Sequence, residues 1–294
     1  MYHDAQDFYL SMEKDVLVLS IRKGTYISPA DLPLKQELPD PFTFEDGRRV
    51  LTVSDWEERS EELQDMYHYY MYGYKPDTSG EQVSYEKTEQ GLQVQVTREL
   101  YSDIDATRAV VTGFSRWGKA SLVIGMMDKR FALINPHASG AGGMASFRYS
   151  LEGKVYPWGT AGRSEPLDAL HSESLAHWFN SVFLAFKDPA ALPFDQHELA
   201  ALMAPRALLL TGGYEDDWVN PEGMYVSYAE AERVYKFLGA ENQIGIAYRS
   251  GGHNRTQEDI SHLLDYCDWR LRGIQPKTTD FKSSLYEPWR QGID

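Results

Sequence analysis

From residue 109 onward, the chain alternates short apolar runs with segments whose apolar residues recur at helical spacing. The apolar runs predict buried strands at residues 109–112, 131–134, 207–211 and 244–248. The helical spacing predicts helices at residues 117–128, 165–187, 199–203, 224–238 and 258–271. Strands that alternate with helices usually pair in parallel, because each crossover helix returns the chain to the same edge of the sheet. The pattern therefore predicts an α/β fold with a mostly parallel sheet flanked by helices.

The first hundred residues follow a different pattern. Residues 15–21 predict a strand, and the prolines within residues 28–41 predict an extended connector. A capping box at Ser54 predicts the start of a helix that ends at Gly73. Residues 82–100 alternate apolar and polar side chains, as a half-exposed antiparallel strand does.

Length and composition fit one globular domain. The chain has 294 residues, of which 42% are hydrophobic and 25% are charged, and no repeat or low-complexity tract divides it. We interpret residues 1–294 as a single domain, in which residues 1–100 form an amino-terminal wrap with edge strands and residues 101–294 form the core.

The charge balance limits the partners. The 44 acidic and 29 basic residues give a net charge of −15, which repels nucleic-acid phosphates and anionic lipids. No apolar run approaches the roughly 18 residues of a membrane helix, so we expect neither a nucleic-acid nor a membrane partner.

The amino terminus lacks the basic and apolar stretches of a secretory signal, which predicts a cytoplasmic protein and leaves a secreted mature form open. The aromatic residues (12 Phe, 7 Trp and 19 Tyr) suit either stacking on sugar rings or a large core.

Residues that bind metals and cofactors are sparse in this sequence. Cys267 is the only cysteine, which excludes an intrachain disulfide and a thiolate zinc site. The eight histidines include neither H-E-x-x-H nor H-x-H, and the glycine-rich residues 140–143 are not followed by the Lys-Ser/Thr of a phosphate loop. The sequence therefore predicts no metal and no organic cofactor.

The turn after the strand at residues 109–112 carries the first candidate for chemistry. Its sequence, G-F-S-R-W-G, places Ser115 between a buried strand and a helix. A sharp turn there lifts the serine out of the sheet edge, where the first N–H groups of the helix can stabilise an oxyanion. The spacing G-x-S-x-x-G is one residue longer than the usual G-x-S-x-G, and a glycine-flanked loop with an incidental serine is the competing interpretation.

Two further candidates follow later strands. Asp216 comes after the strand at 207–211, and His253 lies in a glycine-rich loop after the strand at 244–248. The order serine, acid, histidine is that of the α/β-hydrolases. A serine hydroxyl needs an imidazole to take its proton, and the imidazole needs a carboxylate to hold it. Glu215 and Asp217 are rivals of Asp216 for the acid.

These motifs resemble those of the glucuronoyl esterases, which are carbohydrate esterases of the α/β-hydrolase superfamily. That family carries G-C-S-R-x-G-K, then S-G-x-G-G and an arginine, where this chain has G-F-S-R-W-G-K and S-G-A-G-G. The similarity continues through H-W-F, E-D-D-W and S-G-G-H-N and covers roughly residues 37–75 and 103–272. The resemblance implies an α/β-hydrolase-like fold and cleavage of the ester between 4-O-methyl-glucuronic acid on xylan and a lignin alcohol.

The resemblance also implies roles for individual residues. Ser115 would be the nucleophile and His253 the general base, while Arg116 would stabilise the oxyanion beside a backbone N–H. The residues implied in binding the sugar are Lys119, at its hydroxyl groups, Trp218, at the uronate, and Glu173. His137 stands where the family has glutamine, and it either touches substrate or caps its loop.

The chain departs from the family pattern in two places. Ala138 stands where many members carry the acid of the triad, which leaves Asp216 for that role. Only residues 101–108 separate the strand region at 82–100 from the nucleophile strand, less than the dozen residues that a parallel crossover needs. Part of the usual sheet is therefore missing there. We expect residues 15–21 or a second subunit, in a homodimer, to cover the exposed edge.

Three functions follow from these observations. The leading one is a serine carboxylic-ester hydrolase that acts on glucuronoyl esters through an acyl-enzyme. The missing strands and Ala138 favour instead a catalytically impaired carbohydrate-binding or assembly protein on a hydrolase scaffold. An acetylxylan-type esterase is the third.

Overall fold

The computed structural model describes residues 9–13, 16–20, 26–74, 87–88, 91–92, 105–172, 174–276, 280–282 and 286. The strands are β1 (Tyr9–Glu13), β2 (Val16–Ser20), β3 (Lys87–Thr88), β4 (Gly91–Leu92), β5 (Val110–Phe114), β6 (Leu133–His137), β7 (Val155–Tyr156), β8 (Gly159–Thr160), β9 (Ala207–Gly213) and β10 (Ile244–Arg249). The α-helices are α1 (Val53–Tyr67), α2 (Arg116–Met127), α3 (Gln196–Ala201), α4 (Pro221–Phe237) and α5 (Gln257–Arg272).

Four parallel strands form the central sheet, in the order β10, β9, β6, β5. Every residue of β6, β9 and β10 is buried. This burial explains the apolar runs of β9 and β10, because a strand covered on both faces has no side for water. Since all four strands run in the same direction, their carboxyl ends lie at the same end of the sheet. The predicted α/β class is confirmed.

Neighbouring side chains of a strand point to opposite faces of the sheet. Leu208 and Leu210 of β9 lie in the larger hydrophobic cluster, together with Leu63 of α1 and Leu122 of α2. Leu209 lies instead in the smaller cluster, beneath α5. Helices therefore cover both faces of the sheet. Within the described ranges, none of the helices combines the length and the apolar character needed to cross a membrane.

Helix α1 begins at a different cap from the predicted one. The hydroxyl of Thr52 accepts the N–H of Asp55 at 3.1 Å, and the Asp55 carboxylate accepts the N–H of Thr52 at 2.8 Å. Thr52 and Ser54 each have a carboxylate three residues later, so the sequence alone does not show which of them caps the helix. The helix continues through a π-helical turn and ends, as predicted, at Gly73, whose φ is 78°.

Strand β5 is an edge of the central sheet, since among the described residues it pairs only with β6. Strand β2 confirms the strand predicted at residues 15–21, but it pairs antiparallel with β1 in a separate sheet. The expectation that this segment completes the edge beside β5 is therefore wrong for the described part of the chain. The homodimer through that edge stays a prediction.

Most of the antiparallel strand region predicted at residues 82–100 lies outside the described residues. Its described parts, β3 and β4, pair antiparallel with each other. The assignment of residues 1–294 to a single domain stays a prediction.

The segment predicted as a helix at residues 165–187 is not an α-helix. Its described residues include three short 3₁₀ turns, Leu167–His171, Ala176–Trp178 and Phe183–Ala185. Asn180 helps to interrupt the helical pattern, because its side-chain amide donates to the carbonyl oxygens of His68 and Tyr69, at 3.2 and 2.8 Å. Its side-chain oxygen accepts the N–H of Phe183 at 2.9 Å. A side-chain acceptor thus takes the place of a helical backbone acceptor at Phe183.

A buried ion pair fastens α1 to α3. Arg59 and Glu198 are 1% and 0% exposed, and their side chains lie 3.1 Å apart. Arg59 also donates to Glu62 and to the carbonyl oxygen of Pro41, while Glu198 accepts the N–H of Asp195. Burial raises the pKa of the Glu198 carboxyl, because water no longer solvates its charge. The charged form of Glu198 therefore depends on the nearby positive charge of Arg59.

Replacing Arg59 with methionine should lower the free energy of unfolding by about 3–5 kcal/mol, because Glu198 stays buried without its partner. The loss should shrink as the pH falls through the raised pKa of Glu198, since the neutral carboxyl needs no cation. Arg48→Met is the matched control. Arg48 pairs with Asp46 and Glu58 at the surface, and its loss should leave stability nearly unchanged. Urea unfolding measures both variants, and equal losses would contradict the role of the buried pair.

Candidate active site

Ser115 lies in the turn between β5 and α2, at the carboxyl-terminal end of the sheet. Its φ of 58° and ψ of −118° are values that residues other than glycine rarely adopt. Two glycines make the turn possible. A Cβ on Gly113 would lie 1.9 Å from the carbonyl oxygen of Trp117, and a Cβ on Gly118 would lie 2.8 Å from that of His137. The predicted strand–turn–helix is therefore a tight, strained turn that presents the serine.

His253 bridges Ser115 and Asp216. Its Nε2 lies 3.0 Å from Ser115 Oγ, and its Nδ1 lies 2.7 Å from Asp216 Oδ2. The imidazole is 39% exposed and the carboxylate 3% exposed, so the proton acceptor is accessible while its partner is shielded from water. Burial raises the pKa of the Asp216 carboxyl, and the hydrogen bond from His253 opposes that shift. Three side chains from separate loops thus meet in the geometry of a serine–histidine–acid triad.

The two rivals of Asp216 have other partners. Asp217 Oδ2 accepts the N–H of Gly162 at 2.7 Å, and Glu215 Oε1 accepts the N–H of Gly251 at 3.0 Å. Of these three carboxylates, Asp216 is the one within hydrogen-bonding distance of the His253 ring. The geometry therefore favours Asp216 as the acid.

Arg116 is the first residue of α2 and supplies donors next to Ser115. The N–H of Ser115 itself donates to the carbonyl of His137 at 3.0 Å, so it is engaged. The first N–H groups of a helix have no acceptor within the helix, which leaves the backbone N–H of Arg116 for an oxyanion. The Arg116 guanidinium is exposed and has no ion pair or hydrogen bond with the rest of the described chain. It can therefore approach the same negative charge.

Lys119, which was predicted to bind the sugar hydroxyl groups, is buried in the first turns of α2. Its buried ammonium donates to the carbonyl oxygens of Ser139 and Ala141, at 2.8 and 2.5 Å, and to the Glu165 carboxylate at 2.8 Å. An ammonium has three N–H donors, and in this structure each of them has an acceptor within the protein. Burial lowers the pKa of Lys119, and Glu165 opposes that shift. Lys119 thus holds the loop at residues 138–145 in this structure, and its contact with the sugar hydroxyl groups stays a prediction.

Of the other residues predicted to bind the sugar, one is exposed, one is buried and one lies outside the described residues. Trp218 lies in the loop of the triad acid, and 47% of its surface is exposed, so its ring can meet a ligand. His137 is 0% exposed and its ring contacts Thr211 and Asn254, which favours the alternative that it caps its loop over contact with the substrate. Glu173 lies outside the described residues.

Comparison with known proteins agrees with this geometry. The family model described as glucuronyl esterase of fungi matches residues 67–239, more than half of the 294 residues. The matched segment includes Ser115 and Asp216. This chain belongs to the glucuronyl esterase family.

Several known esterases are similar to this chain in sequence or in structure. A carbohydrate esterase family 15 glucuronoyl esterase from Caldicellulosiruptor kristjansonii is 39% identical with a TM-score of 0.80, over 88% of this chain and 96% of that one. A multidomain esterase from Ruminococcus flavefaciens is 26% identical over 90% of this chain and 50% of that protein. A 4-O-methyl-glucuronoyl methylesterase from Hypocrea jecorina is 31% identical over 65% of this chain and 41% of that protein.

This glucuronyl esterase chain spans half the length, or less, of the first curated relatives it matches. The alignment with the Ruminococcus protein is 385 residues long, although this chain has only 294. That relative therefore has segments with no counterpart here. The loss of strands before β5 stays a prediction.

Asp216→Asn should lower kcat/KM on an ester substrate by about 10³- to 10⁴-fold, because an amide neither holds the required imidazole tautomer nor stabilises the imidazolium. Asp217→Asn and Glu215→Gln are matched controls, since each changes a neighbouring carboxylate in the same way and leaves Asp216 intact. Both should retain most of the activity. Steady-state hydrolysis of a chromogenic ester compares the three, and the largest loss in either control would move the acid to that residue.

Gly213→Ala should lower kcat by about 10-fold or more, because a Cβ there would lie 1.9 Å from the carbonyl oxygen of Gly251 and displace the loop of His253. Gly212→Ala is the control. Its Cβ would lie 3.6 Å from the ring of Tyr248, an ordinary contact, and kcat should hardly change. Equal kcat values for the two variants, per folded molecule, would show that the close approach does not position the loop.

Proposed function

We propose that this protein is a serine esterase that hydrolyses 4-O-methyl-glucuronoyl esters through an acyl-enzyme on Ser115. The observation that carries the proposal is the hydrogen-bonded series from Ser115 through His253 to Asp216, with distances of 3.0 and 2.7 Å. An imidazole backed by a buried carboxylate makes a serine hydroxyl nucleophilic at neutral pH. A protein that only binds carbohydrate has no need of this series, or of the strained backbone that presents the hydroxyl.

The arrangement supports hydrolysis in two steps. Ser115 Oγ attacks the ester carbonyl carbon while His253 Nε2 takes the hydroxyl proton, and Asp216 stabilises the imidazolium. The negative charge on the carbonyl oxygen is stabilised by the N–H and the guanidinium of Arg116. The imidazolium then gives its proton to the alkoxy oxygen as the C–O bond breaks, and the alcohol leaves. A water molecule, deprotonated by His253, attacks the acyl group, releases the carboxylic acid and restores the serine.

The substrate class rests on relatives and on one exposed ring. The relatives from Hypocrea jecorina and Neurospora crassa are named 4-O-methyl-glucuronoyl methylesterases. A glucuronoyl esterase from Sporotrichum thermophile with its serine replaced by alanine has been solved in complex with methyl 4-O-methyl-β-D-glucopyranuronate. In this chain, Trp218 offers a half-exposed indole in the loop of Asp216, and an aromatic face suits contact with the apolar face of a sugar ring.

Hydrolysis of the methyl ester of 4-O-methyl-glucuronic acid, compared with an acetylated xyloside, tests the proposal. The glucuronate ester should have a kcat/KM about 10²-fold higher or more, because the acyl sugar supplies binding energy that an acetyl group lacks. Ser115→Ala should abolish turnover and leave binding of the ester intact. The opposite preference would indicate an acetyl esterase. Binding without turnover by the folded wild type would indicate a carbohydrate-binding protein.

A further inference from the structure

His137, the last residue of β6, contacts the main chain at both the nucleophile and the base. Its own carbonyl accepts the N–H of Ser115 at 3.0 Å. Its ring Nε2 lies 2.9 Å from the carbonyl oxygen of Asn254, the residue directly after His253. The side chain is completely buried, so these contacts are made inside the protein and not with a ligand.

The hydrogen-bond partners define the tautomer of the His137 ring. A carbonyl oxygen can only accept, so Nε2 carries the proton. Nδ1 then accepts the hydroxyl of Thr211 at 2.8 Å, and that hydroxyl accepts the side-chain amide of Asn135 at 3.0 Å. Burial lowers the pKa of the imidazole, which keeps it neutral as this pattern requires. Groups in the interior of the sheet therefore fix the orientation of the ring.

A second buried donor holds the same carbonyl. Arg249 Nη2 lies 2.7 Å from the carbonyl oxygen of Asn254, and Arg249 Nε lies 2.7 Å from the Asp259 carboxylate. The loop that carries His253 includes Gly251, whose φ is 100°, and glycine has little conformational preference of its own. The geometry of this loop therefore depends on the side chains that hold it.

Phe114 fills the space between the two histidine rings. Its ring centroid lies 5.3 Å from that of His137 and 4.7 Å from that of His253. Packed interiors transmit small displacements. A change at the His137 ring therefore reaches the His253 imidazole through this packing as well as through the Asn254 carbonyl.

We propose that His137 is a positioning residue that sets the distance between Ser115 Oγ and His253 Nε2, by holding both of their loops from inside the sheet. The inference rests on the proposed function. The observed separation of 3.0 Å is within reach for proton transfer, and a misplacement of about 1 Å can cost about 10²-fold in rate. Because His137 does not contact the substrate, its loss should lower kcat and leave KM unchanged.

His137→Leu and His137→Gln form the test. Leucine removes both hydrogen bonds of the ring, whereas glutamine keeps one donor and one acceptor. The rate at which a fluorophosphonate labels Ser115 reports on the nucleophile without any sugar. We expect His137→Leu to slow labelling by about 10²-fold and to lower kcat on the methyl glucuronate ester by a similar factor. His137→Gln should recover most of both rates.

His197→Leu is the matched control for a simple loss of stability. His197 is equally buried in α3, and its Nε2 lies 2.8 Å from the carbonyl oxygen of Pro39, outside the triad loops. This variant should lower the melting temperature and leave the labelling rate of the folded protein unchanged. If His137→Leu does not fold, Thr211→Val removes the hydroxyl that bonds Nδ1 and should slow labelling by about 5- to 10-fold, the equivalent of one hydrogen bond.

Equal labelling rates for folded wild type and His137→Leu would overturn the inference, as would a loss in His137→Gln as large as that in His137→Leu. In a His253→Ala background, His137→Leu should have no further effect, because it acts through the imidazole; a full additional loss would contradict the inference. Labelling of the wild type without hydrolysis of glucuronate esters would reject the proposed substrate and leave the role of His137 standing. Failure of the folded wild type to label would reject both.

Discussion

The active site depends on the buried hydrogen bonds that hold the carboxyl ends of the four parallel strands together at one end of the sheet. Ser115, Asp216 and His253 follow β5, β9 and β10, and none of them is close to another in sequence. Strand β6 lies between β5 and β9, and the carbonyl at its end accepts the N–H of the strained serine. A serine with φ of 58° persists only where the surrounding structure outweighs its cost of about 1–3 kcal/mol. The sheet provides that support.

The parts of the fold that follow local patterns could be predicted from the sequence. Parallel strands that are covered on both faces are mostly apolar, so residues 207–211 and 244–248 were identifiable as strands. The triad could be predicted as well, because each member follows a strand in a fixed order. Where two local solutions were equally good, as with the helix caps Thr52 and Ser54, the sequence could not decide between them.

The environments of buried polar residues could not be predicted, because their partners are distant in sequence. From the sequence, Lys119 looks like a solvated or ligand-binding residue at the start of a helix. In the structure it is buried and bonds Glu165 and two backbone carbonyl oxygens of the loop at residues 138–145. Glu165 itself was missed, since it lies where the spacing predicted a helix. His137 depends on Thr211 and Asn254 in the same way. One residue did indicate a buried polar contact. Arg249 is a charged residue directly after the predicted apolar strand, and it pairs with Asp259 inside the protein.

Strand β5 lies at one side of the described sheet, and the acid and the base follow strands on the other side of β6. Contacts of His137 in β6 join the serine loop to the base loop, and Glu215 joins the acid loop to the base loop by bonding both the N–H and the carbonyl oxygen of Gly251. The triad geometry therefore rests on the four described strands.

The most direct measurement is mass spectrometry of the Ser115 peptide after rapid acid quench during hydrolysis of a methyl glucuronate ester. An acyl-enzyme mechanism predicts that this peptide carries the uronoyl group while turnover proceeds, and that Ser115→Ala shows neither the adduct nor turnover. Turnover that persists in Ser115→Ala, or an acyl group found on another residue, would contradict the account.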